Sequence, residues 1–326
     1  MTFPESFKRR LLESSLNFES LAFEAFAYQA KNNPIYRCYL EVMNVEIGKV
    51  TKLNQIRFLP ISFFKDFSIL SGGDTYQTTF LSSGTTGQTR SKHHVKDLDF
   101  YYQISKKGFE ARYGSLADYE ILALLPSYLE QKRSSLVAMV EHFIQYSGAY
   151  SDFYLNDFSA LHQKIEQLKS SDKKILLWGV TYALLDFAEE YPATLPETAI
   201  IMETGGMKGR KKELPREAVH QELQKAFDVP TIHSEYGMTE LLSQAYAPQK
   251  GIFHTPPWMQ VRLRDLNDPF SEVTTTGGVD IIDLANIDSC CFIQTQDIGR
   301  YTEDGGFEIL GRYDHSDVRG CNLLVS

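Results

Sequence analysis

Hydrophobic residues recur at helical spacing near the start of the chain, from Phe7 to Ala30. This pattern predicts one long amphipathic helix that stops at Asn32-Asn33-Pro34, because proline cannot continue a helix. Residues 56–67 follow, with Pro60 among aromatic side chains. We predict that this segment is a loop that packs through its rings.

Further along, short apolar runs alternate with helical patterns. The strand-like runs are 119–125, 174–178 and 198–202, and the helical patterns are 134–147, 182–191 and 216–227. This alternation is typical of βαβ units and predicts an α/β fold with a largely parallel sheet. Another strand is predicted at 78–81, where β-branched and aromatic residues lead directly into Ser82.

The chain changes character after Tyr246. Prolines 256 and 257 and the threonine-glycine segment 274–278 are followed by strand-like runs at 279–284, 290–295 and 307–310. We therefore expect two units. The first is an α/β core over residues 1–245, and the second is a β-rich subdomain over residues 246–326.

Composition narrows the class of protein. A chain of 326 residues with 43% hydrophobic residues can bury a large core. The net charge of -9 argues against a nucleic-acid partner or an anionic membrane surface. The sequence contains no apolar run long enough to span a membrane and no secretory signal pattern at its start. We expect a soluble, cytoplasmic protein.

The 4 cysteines are Cys38, Cys290, Cys291 and Cys321. They form no C-x-x-C pair and have no histidine at zinc-site spacing, so a metal cluster is not expected. The adjacent Cys290 and Cys291 lie in an apolar run and are predicted to pack in the core, and Cys38 is also expected in apolar surroundings. Cys321 alone would suit a small buried residue, but the motifs below make it a candidate nucleophile.

A serine, threonine and glycine segment follows the strand predicted at 78–81. Its residues are Ser82, Ser83, Gly84, Thr85, Thr86 and Gly87. Hydroxyl groups beside glycines that allow close backbone approach suit a loop around phosphate oxygens, although the same composition suits a hairpin turn. The segment is not the P-loop of nucleotide triphosphatases, because no Gly-Lys-Ser/Thr follows.

A second segment combines an aromatic ring, a hydroxyl and a carboxylate over a few residues: Tyr236, Gly237, Met238, Thr239 and Glu240. The carboxylate is a hard oxygen ligand of the kind that Mg²⁺ prefers. Three further features of the sequence accompany these two segments. They are the Gly205-Gly206 turn, Asp297 with its two acceptor oxygens, and Arg312 in a Gly-Arg-x-Asp segment.

The order of these motifs resembles the superfamily of adenylate-forming enzymes, which includes acyl-CoA synthetases, luciferases and adenylation domains of peptide synthetases. The resemblance implies the large N-terminal domain of that fold, with mixed sheets, flanking helices and a smaller β-rich subdomain. It also implies that ATP phosphates meet Ser82–Gly87 and Thr239, that Gly205-Gly206 and Tyr236 border adenine, that Asp297 and Arg312 hold ribose, and that Glu240 binds Mg²⁺. The chain departs from the pattern at Gln88 and Arg90, where the family has proline and lysine.

Within this superfamily the chain resembles a branch without the C-terminal lid domain, the acyl-protein synthetases of bacterial bioluminescence. The resemblance rests on the final Arg319-Gly320-Cys321-Asn322-Leu323, on residues 126–130 and 134–137, and on the absence of a lid and its lysine after Ser326. It implies that a fatty acid is activated as acyl-AMP, transferred to Cys321 and passed to a partner such as an acyl reductase. Arg319 is a plausible cation for lowering the pKa of the Cys321 thiol.

Two other functions stay open from sequence: a ligase that transfers the acyl group directly to CoA, and a non-catalytic nucleotide-binding subunit. Two basic features also have alternatives. His93 and His94 point to opposite faces of an extended segment, so at most one can reach the site, and we expect neither to do so. Residues 208–212 suit either pyrophosphate contact or a solvated cationic loop.

Overall fold

The structure is a computed structural model that describes residues 1–13, 15–83, 89–125, 133–205 and 214–313. Its helices are α1 Phe3–Leu12, α2 Phe18–Asn32, α3 Pro34–Val42, α4 Phe63–Asp66, α5 Leu98–Tyr113, α6 Ser135–Ile144, α7 Phe158–Leu168, α8 Thr181–Glu190 and α9 Arg216–Phe227. Its strands are β1 Leu59–Pro60, β2 Thr78–Leu81, β3 Lys92–Val95, β4 Tyr119–Leu124, β5 Asp152–Phe153, β6 Lys174–Val180, β7 Ile200–Thr204, β8 His233–Tyr236, β9 Ala245–Ala247, β10 Met259–Arg264, β11 Thr276–Asp283, β12 Phe292–Tyr301 and β13 Phe307–Arg312.

The prediction of one long helix near the start is wrong, because two helices occupy this region. Helix α1 ends at Leu12, and Asn17 begins α2 by accepting a hydrogen bond from the Ser20 backbone amide. An asparagine that caps a new helix competes with continuation of the previous one. The predicted break before Pro34 is confirmed, since α2 ends at Asn32 and α3 starts at Pro34.

The larger sheet has six strands in the order β5-β4-β6-β7-β8-β9. Its strand pairs are parallel except for the last, β8 with β9. Helices cover both faces: Phe109 of α5 stacks on Trp178 of β6, and His220 of α9 meets Ser234 of β8 on the opposite side. The predicted α/β class with a largely parallel sheet is therefore confirmed.

The second sheet has the order β1-β12-β11-β10, with β13 added on β12. Its strands are antiparallel apart from β1, which runs parallel to β12. The prediction of a plain loop at 56–67 is wrong, because the segment supplies both β1 and α4. Pro60 is tolerated in β1 because an edge strand does not need every amide as a donor.

Strands β2 and β3 form a separate antiparallel pair, with Leu81 opposite Lys92. The strand predicted at 78–81 is confirmed. The pair lies on either side of the serine-threonine-glycine segment, of which Ser82, Ser83 and residues from Thr89 onward lie in the described part of the chain. Among the helices of that part, none has both the length and the hydropathy needed to cross a bilayer.

Candidate active site

The parallel strands β7 and β8 bring two predicted motifs to one edge of the larger sheet. Thr204 pairs with Glu235, so Gly205 and Tyr236 follow at neighbouring positions. Carboxyl ends of adjacent parallel strands are the usual place for ligand sites in α/β sheets. Gly205 has a φ of 74°, a backbone conformation that favours glycine. Its neighbour Gly206 lies outside the described residues.

Tyr236, Asp297 and Arg312 meet although they come from three strands. The Tyr236 hydroxyl donates to Asp297 Oδ2 at 2.7 Å, and Arg312 Nε donates to Asp297 Oδ1 at 3.2 Å. Asp297 and Arg312 face each other in the β12–β13 pair. The Arg312 side chain is 68% exposed, so its attraction to Asp297 is screened by solvent. Asp297 thus connects the two sheets, and solvent reaches this point from the side of Arg312.

The Tyr236 ring packs against two phenylalanines. Its centroid lies 5.7 Å from that of Phe253 and 5.9 Å from that of Phe307. Burial and the Asp297 carboxylate raise the pKa of Tyr236 well above its usual value, so the hydroxyl stays a donor. These contacts fix the plane of the ring, which is a requirement for stacking on a planar ligand.

Thr239 and Glu240 lie in a turn after β8 that is held through its backbone. The Thr239 carbonyl accepts from His93 Nδ1 at 2.8 Å, and the Glu240 carbonyl accepts from Asn286 Nδ2 at 2.8 Å. Met238 and Thr239 are half-buried, Gly237 is exposed, and Glu240 is buried. The side chains that could act on a ligand therefore leave a turn whose peptide groups are fixed by other parts of the fold.

The Glu240 carboxyl is buried beside Ser91. Burial raises the pKa of Glu240, and the Ser91 hydroxyl and the more distant charges of Arg312 and Lys65 only partly offset it. A buried carboxyl that lacks full compensation for its charge favours a cation as partner. Within the described ranges, no group of three or more His, Cys, Asp or Glu residues could hold a metal ion. A metal at Glu240 would need further oxygen ligands from a substrate.

Ser82 and Ser91 close the base of the serine-threonine-glycine segment. The Ser82 amide donates to the Ser91 carbonyl at 3.1 Å, and the Ser91 amide donates to Ser82 Oγ at 2.9 Å. Because the Ser91 hydroxyl contacts Glu240, this base adjoins the Thr239–Glu240 turn. Ser83 is exposed, and Gly84, Thr85, Thr86 and Gly87 lie outside the described residues.

Several buried polar residues near the site were not predicted from sequence. Glu235, directly before Tyr236, accepts a hydrogen bond from the Thr204 hydroxyl, and burial raises the pKa of Glu235 to about 7. Glu203 in β7 is also buried, but contacts with His220 and Arg216 outweigh burial and lower its pKa. The available signal was the position of each glutamate shortly before a predicted segment: Glu203 before Gly205-Gly206, and Glu235 before Tyr236.

The histidine pair behaves partly as expected. His93 and His94 do point to opposite sides of β3, since His94 contacts Thr79 and Ser68. Our expectation that neither reaches a ligand stays a prediction, but His93 does bond to the Thr239 backbone, within one of the predicted motifs. The sequence gives no signal of this contact, because the acceptor is a main-chain carbonyl 146 positions away.

The cysteines divide by exposure. Cys290 and Cys291 are buried, and burial raises the pKa of Cys290 to about 12 and that of Cys291 well above its usual value. Cys38 is exposed on α3, so the prediction of apolar surroundings is wrong for it. The apolar side chains of α3 face inward at Tyr36 and Leu40, and Cys38 lies between them on the outer side. Cys321 lies outside the described residues, as do 208–212.

No family model matches the chain, and no curated protein matches it at a significant level. Solved structures do match the chain. A 2-hydroxyisobutyryl-CoA ligase in complex with 2-HIB-AMP and CoA is 14% identical, with 97% of this chain and 70% of that chain covered and a TM-score of 0.63. The O-succinylbenzoate Coenzyme A synthetase MenE from Bacillus subtilis, in complex with AMP, is 17% identical, with 75% and 50% covered and a TM-score of 0.52.

ATP-bound MatB from Rhodopseudomonas palustris is 18% identical, with 72% of this chain and 47% of that chain covered and a TM-score of 0.50. The chain thus spans about half the length of MenE and MatB. These structural neighbours are adenylate-forming, acyl-CoA synthetase-like enzymes. The fold of this chain is that of the N-terminal domain of adenylate-forming enzymes.

Proposed function

We propose that this chain binds ATP and activates a carboxylic acid as an acyl-adenylate. The observation that carries the proposal is the meeting of Tyr236, Asp297 and Arg312 at the edge that also holds Gly205. The nucleotide-bound ligases with the same fold support it. In the reaction, a carboxylate oxygen of the acid bonds to the α-phosphorus of ATP, and the bond to the β-phosphate breaks to release pyrophosphate.

Asp297 has the capacity to bind ribose. A carboxylate offers about four lone-pair positions, and Tyr236 and Arg312 use one on each oxygen. Two ribose hydroxyls can donate to the remaining positions, while the exposed Arg312 guanidinium lies beside them. The fixed ring of Tyr236 offers a stacking surface to adenine. Thr239 is the hydroxyl donor that we assign to the α-phosphate.

Glu240 fits a Mg²⁺ ion bound together with the triphosphate. The ion usually takes one or two protein carboxylates and completes its shell with phosphate oxygens and water. A buried carboxyl whose pKa is raised suits this arrangement, because a cation compensates its charge. When bound, Mg²⁺ neutralises negative charge on the phosphates. Glu240 would hold the ion, and Ser91 would orient the carboxylate.

The second step is acyl transfer to a thiol. We assign the thiol to Cys321, on the sequence resemblance to acyl-protein synthetases. The thiolate attacks the acyl carbonyl, a thioester forms and AMP leaves. A fatty acid is the substrate that the resemblance implies, and an acyl reductase or another acyl acceptor would take the product. An alternative is direct transfer to CoA, which is favoured by the match to a ligase structure that contains CoA.

The test is acid-dependent exchange of labelled pyrophosphate into ATP, run over a panel of fatty and short carboxylic acids. We expect exchange that needs both Mg²⁺ and an acid. ATP binding without exchange for any acid would instead support a nucleotide-binding subunit. Formation of acyl-CoA that depends on added CoA would favour the direct ligase over transfer to Cys321.

A further inference from the structure

The turn that carries Thr239 and Glu240 is held by polar contacts on both sides. From β3, His93 Nδ1 bonds to the Thr239 carbonyl at 2.8 Å. From the short 3-10 helix that connects β11 to β12, Asn286 Nδ2 donates to the Glu240 carbonyl at 2.8 Å and Asn286 Oδ1 accepts from the Leu242 amide at 3.2 Å. Consecutive peptide groups are therefore fixed by residues that do not themselves belong to the turn.

Asp283 continues this pattern on the second-sheet side. Its Oδ2 accepts from the Leu242 and Ser243 amides, each at 3.0 Å, and its Oδ1 accepts from the Ser243 hydroxyl at 2.6 Å. Trp258 Nε1 donates to the same Ser243 hydroxyl at 3.0 Å. The second sheet thus anchors the end of the turn strongly, whereas the Thr239 carbonyl is anchored from the side of β3, by His93.

The chemistry of this contact fixes the state of His93. A carbonyl can only accept, so Nδ1 must carry the hydrogen atom. The ring is 1% exposed and packs edge-on against Phe64, with centroids 5.7 Å apart. Burial lowers the pKa of His93 to about 4, so the ring is neutral near pH 7 and donates through one nitrogen. This is a structural donor with a defined direction.

We propose that His93 is a positioning residue that orients the Thr239 hydroxyl and the Glu240 carboxylate through the Thr239 carbonyl. The inference rests on the proposed function, because it takes these two side chains to act on ATP and Mg²⁺. Ser91, directly before β3, closes the base of the serine-threonine-glycine segment and contacts Glu240. Strand β3 and the residue before it therefore set the relative position of the serine-threonine-glycine segment and the Thr239–Glu240 turn, the two segments that we propose to bind phosphate. Preorganisation of this kind lowers the barrier of the chemical step.

Two substitutions separate hydrogen bonding from packing at this position. In His93→Asn, the amide nitrogen is attached to Cγ as Nδ1 is in histidine, so a donor to Thr239 is kept while ring packing is lost. In His93→Phe, the ring against Phe64 is kept and the donor is lost. A residue that only filled space would favour phenylalanine, whereas a positioning residue favours asparagine.

The neighbouring His94 provides the matched control. It is also buried, but it contacts Thr79 and Ser68 and stacks on Tyr76, on the other side of β3. His94→Asn and His94→Phe are made in parallel. We expect neither to change the protection of the Thr239–Glu240 turn, whatever they do to the melting temperature.

Hydrogen–deuterium exchange of the peptide covering residues 238–243 is measured first, since it needs no activity. We expect roughly tenfold faster amide exchange in His93→Phe and nearly native exchange in His93→Asn. In pyrophosphate exchange, His93→Phe should lose roughly tenfold in kcat with little change in the KM for ATP, and His93→Asn should retain most of kcat.

The outcomes separate the two proposals. Native amide exchange in His93→Phe, or equal behaviour of the two His93 variants, would overturn the positioning role. If the wild-type chain shows no pyrophosphate exchange with any acid, the proposed function fails. The amide-exchange comparison then still decides whether His93 fixes the turn.

Discussion

At the scale of single residues, Asp297 joins the two strands of the β12–β13 hairpin to Tyr236. Asp297→Ala removes the acceptor that we assign to ribose. Hydrogen bonds to a charged group contribute about 2 kcal/mol, so the KM for ATP should rise roughly thirtyfold. The measurement is ATP dependence of pyrophosphate exchange, and Asp304→Ala in the exposed hairpin turn is the control. Equal KM values for the two variants would contradict the ribose assignment.

Glu235 gives a prediction about pH. Burial raises its pKa from 4.5 to about 7, so the folded state holds the proton more tightly than the unfolded state. Below about pH 4.5 this group therefore contributes about 3 kcal/mol to the free energy of unfolding. The contribution falls as the pH rises and is lost above about pH 7. Glu235→Gln keeps an acceptor for Thr204 and removes this loss.

Denaturant unfolding at pH 5 and pH 8 measures the effect. The variant should lose less stability than the wild-type chain between the two pH values, with the gain appearing at pH 8. Asp280 has a pKa raised to about 7 by burial and will still contribute a slope of the same sign in both proteins. The exposed Glu222→Gln on α9 is the control. A difference between pH 5 and pH 8 identical to that of wild type would refute the assignment.

At this scale, sequence reasoning selected residues whose type and order suit a nucleotide site. Tyr236, Asp297 and Arg312 were predicted as one site, and the fold brings them together. His93 was set aside because adjacent side chains of an extended segment point to opposite faces. Its partner in the structure is the Thr239 carbonyl, and a main-chain acceptor leaves no mark on the sequence. The nucleotide roles themselves stay predictions.

At the scale of elements, prediction worked where the period of apolar residues was clear. The helix at 216–227 was predicted with the bounds that α9 has, and strands β4, β6 and β7 lie where apolar runs indicated. Prediction failed where glycine residues can indicate either a loop or a close approach between two strands. Gly277 and Gly278 were placed before a strand predicted to start at 279, but they belong to β11, which starts at Thr276.

The reason for Gly278 is a side chain from the neighbouring strand β10. A Cβ on Gly278 would lie 2.5 Å from Arg264 Cζ. That guanidinium cannot move freely, since it donates to the Val279 carbonyl, to Asp280 and to the Thr295 carbonyl. Glycine is therefore required here by a close approach between β10 and β11, which sequence pattern does not show.

Gly278→Ala should accordingly lower the free energy of unfolding by about 1–3 kcal/mol, the usual cost of overpacking. Urea denaturation measures it. Gly48→Ala is the matched control, because a Cβ at Gly48 meets no atom within 4 Å. Equal stability of the two variants would mean that Arg264 is free to move aside.

At the scale of the whole molecule, the site lies where the two sheets meet, and distant parts of the chain support it. Gln29 in α2 is fully buried and donates to the carbonyls of Asn286, Ile287 and Ser289, while its Oε1 accepts from the Cys291 amide. The first helices thus stabilise the connection before β12, the strand of Asp297. Local sequence patterns do not predict a contact such as that of Gln29 with Cys291, which are 262 positions apart. The division at residue 245 stays a prediction.

Acyl transfer is the prediction that depends on the whole molecule, because it needs a thiol near the adenylate. Cys290 and Cys291 are buried, and burial raises the pKa of both thiols, so they are poor nucleophiles. Cys321 follows Tyr313, whose amide donates to the Gln296 carbonyl at 2.7 Å, next to Asp297. The chain between Tyr313 and Cys321 can extend roughly 30 Å at most, which keeps this thiol tethered to the site.

We therefore expect incubation with ATP, Mg²⁺ and a substrate acid to add one acyl group, on Cys321. The Cys321→Ala variant should lose the adduct and keep pyrophosphate exchange within about twofold, because adenylation precedes thiol attack. Exposed Cys38 is the competing thiol, so Cys38→Ala is the matched control and should still be acylated. Intact mass followed by peptide mapping gives the answer. An adduct that persists in Cys321→Ala and disappears in Cys38→Ala would move the acceptor to α3 and refute the role of Cys321.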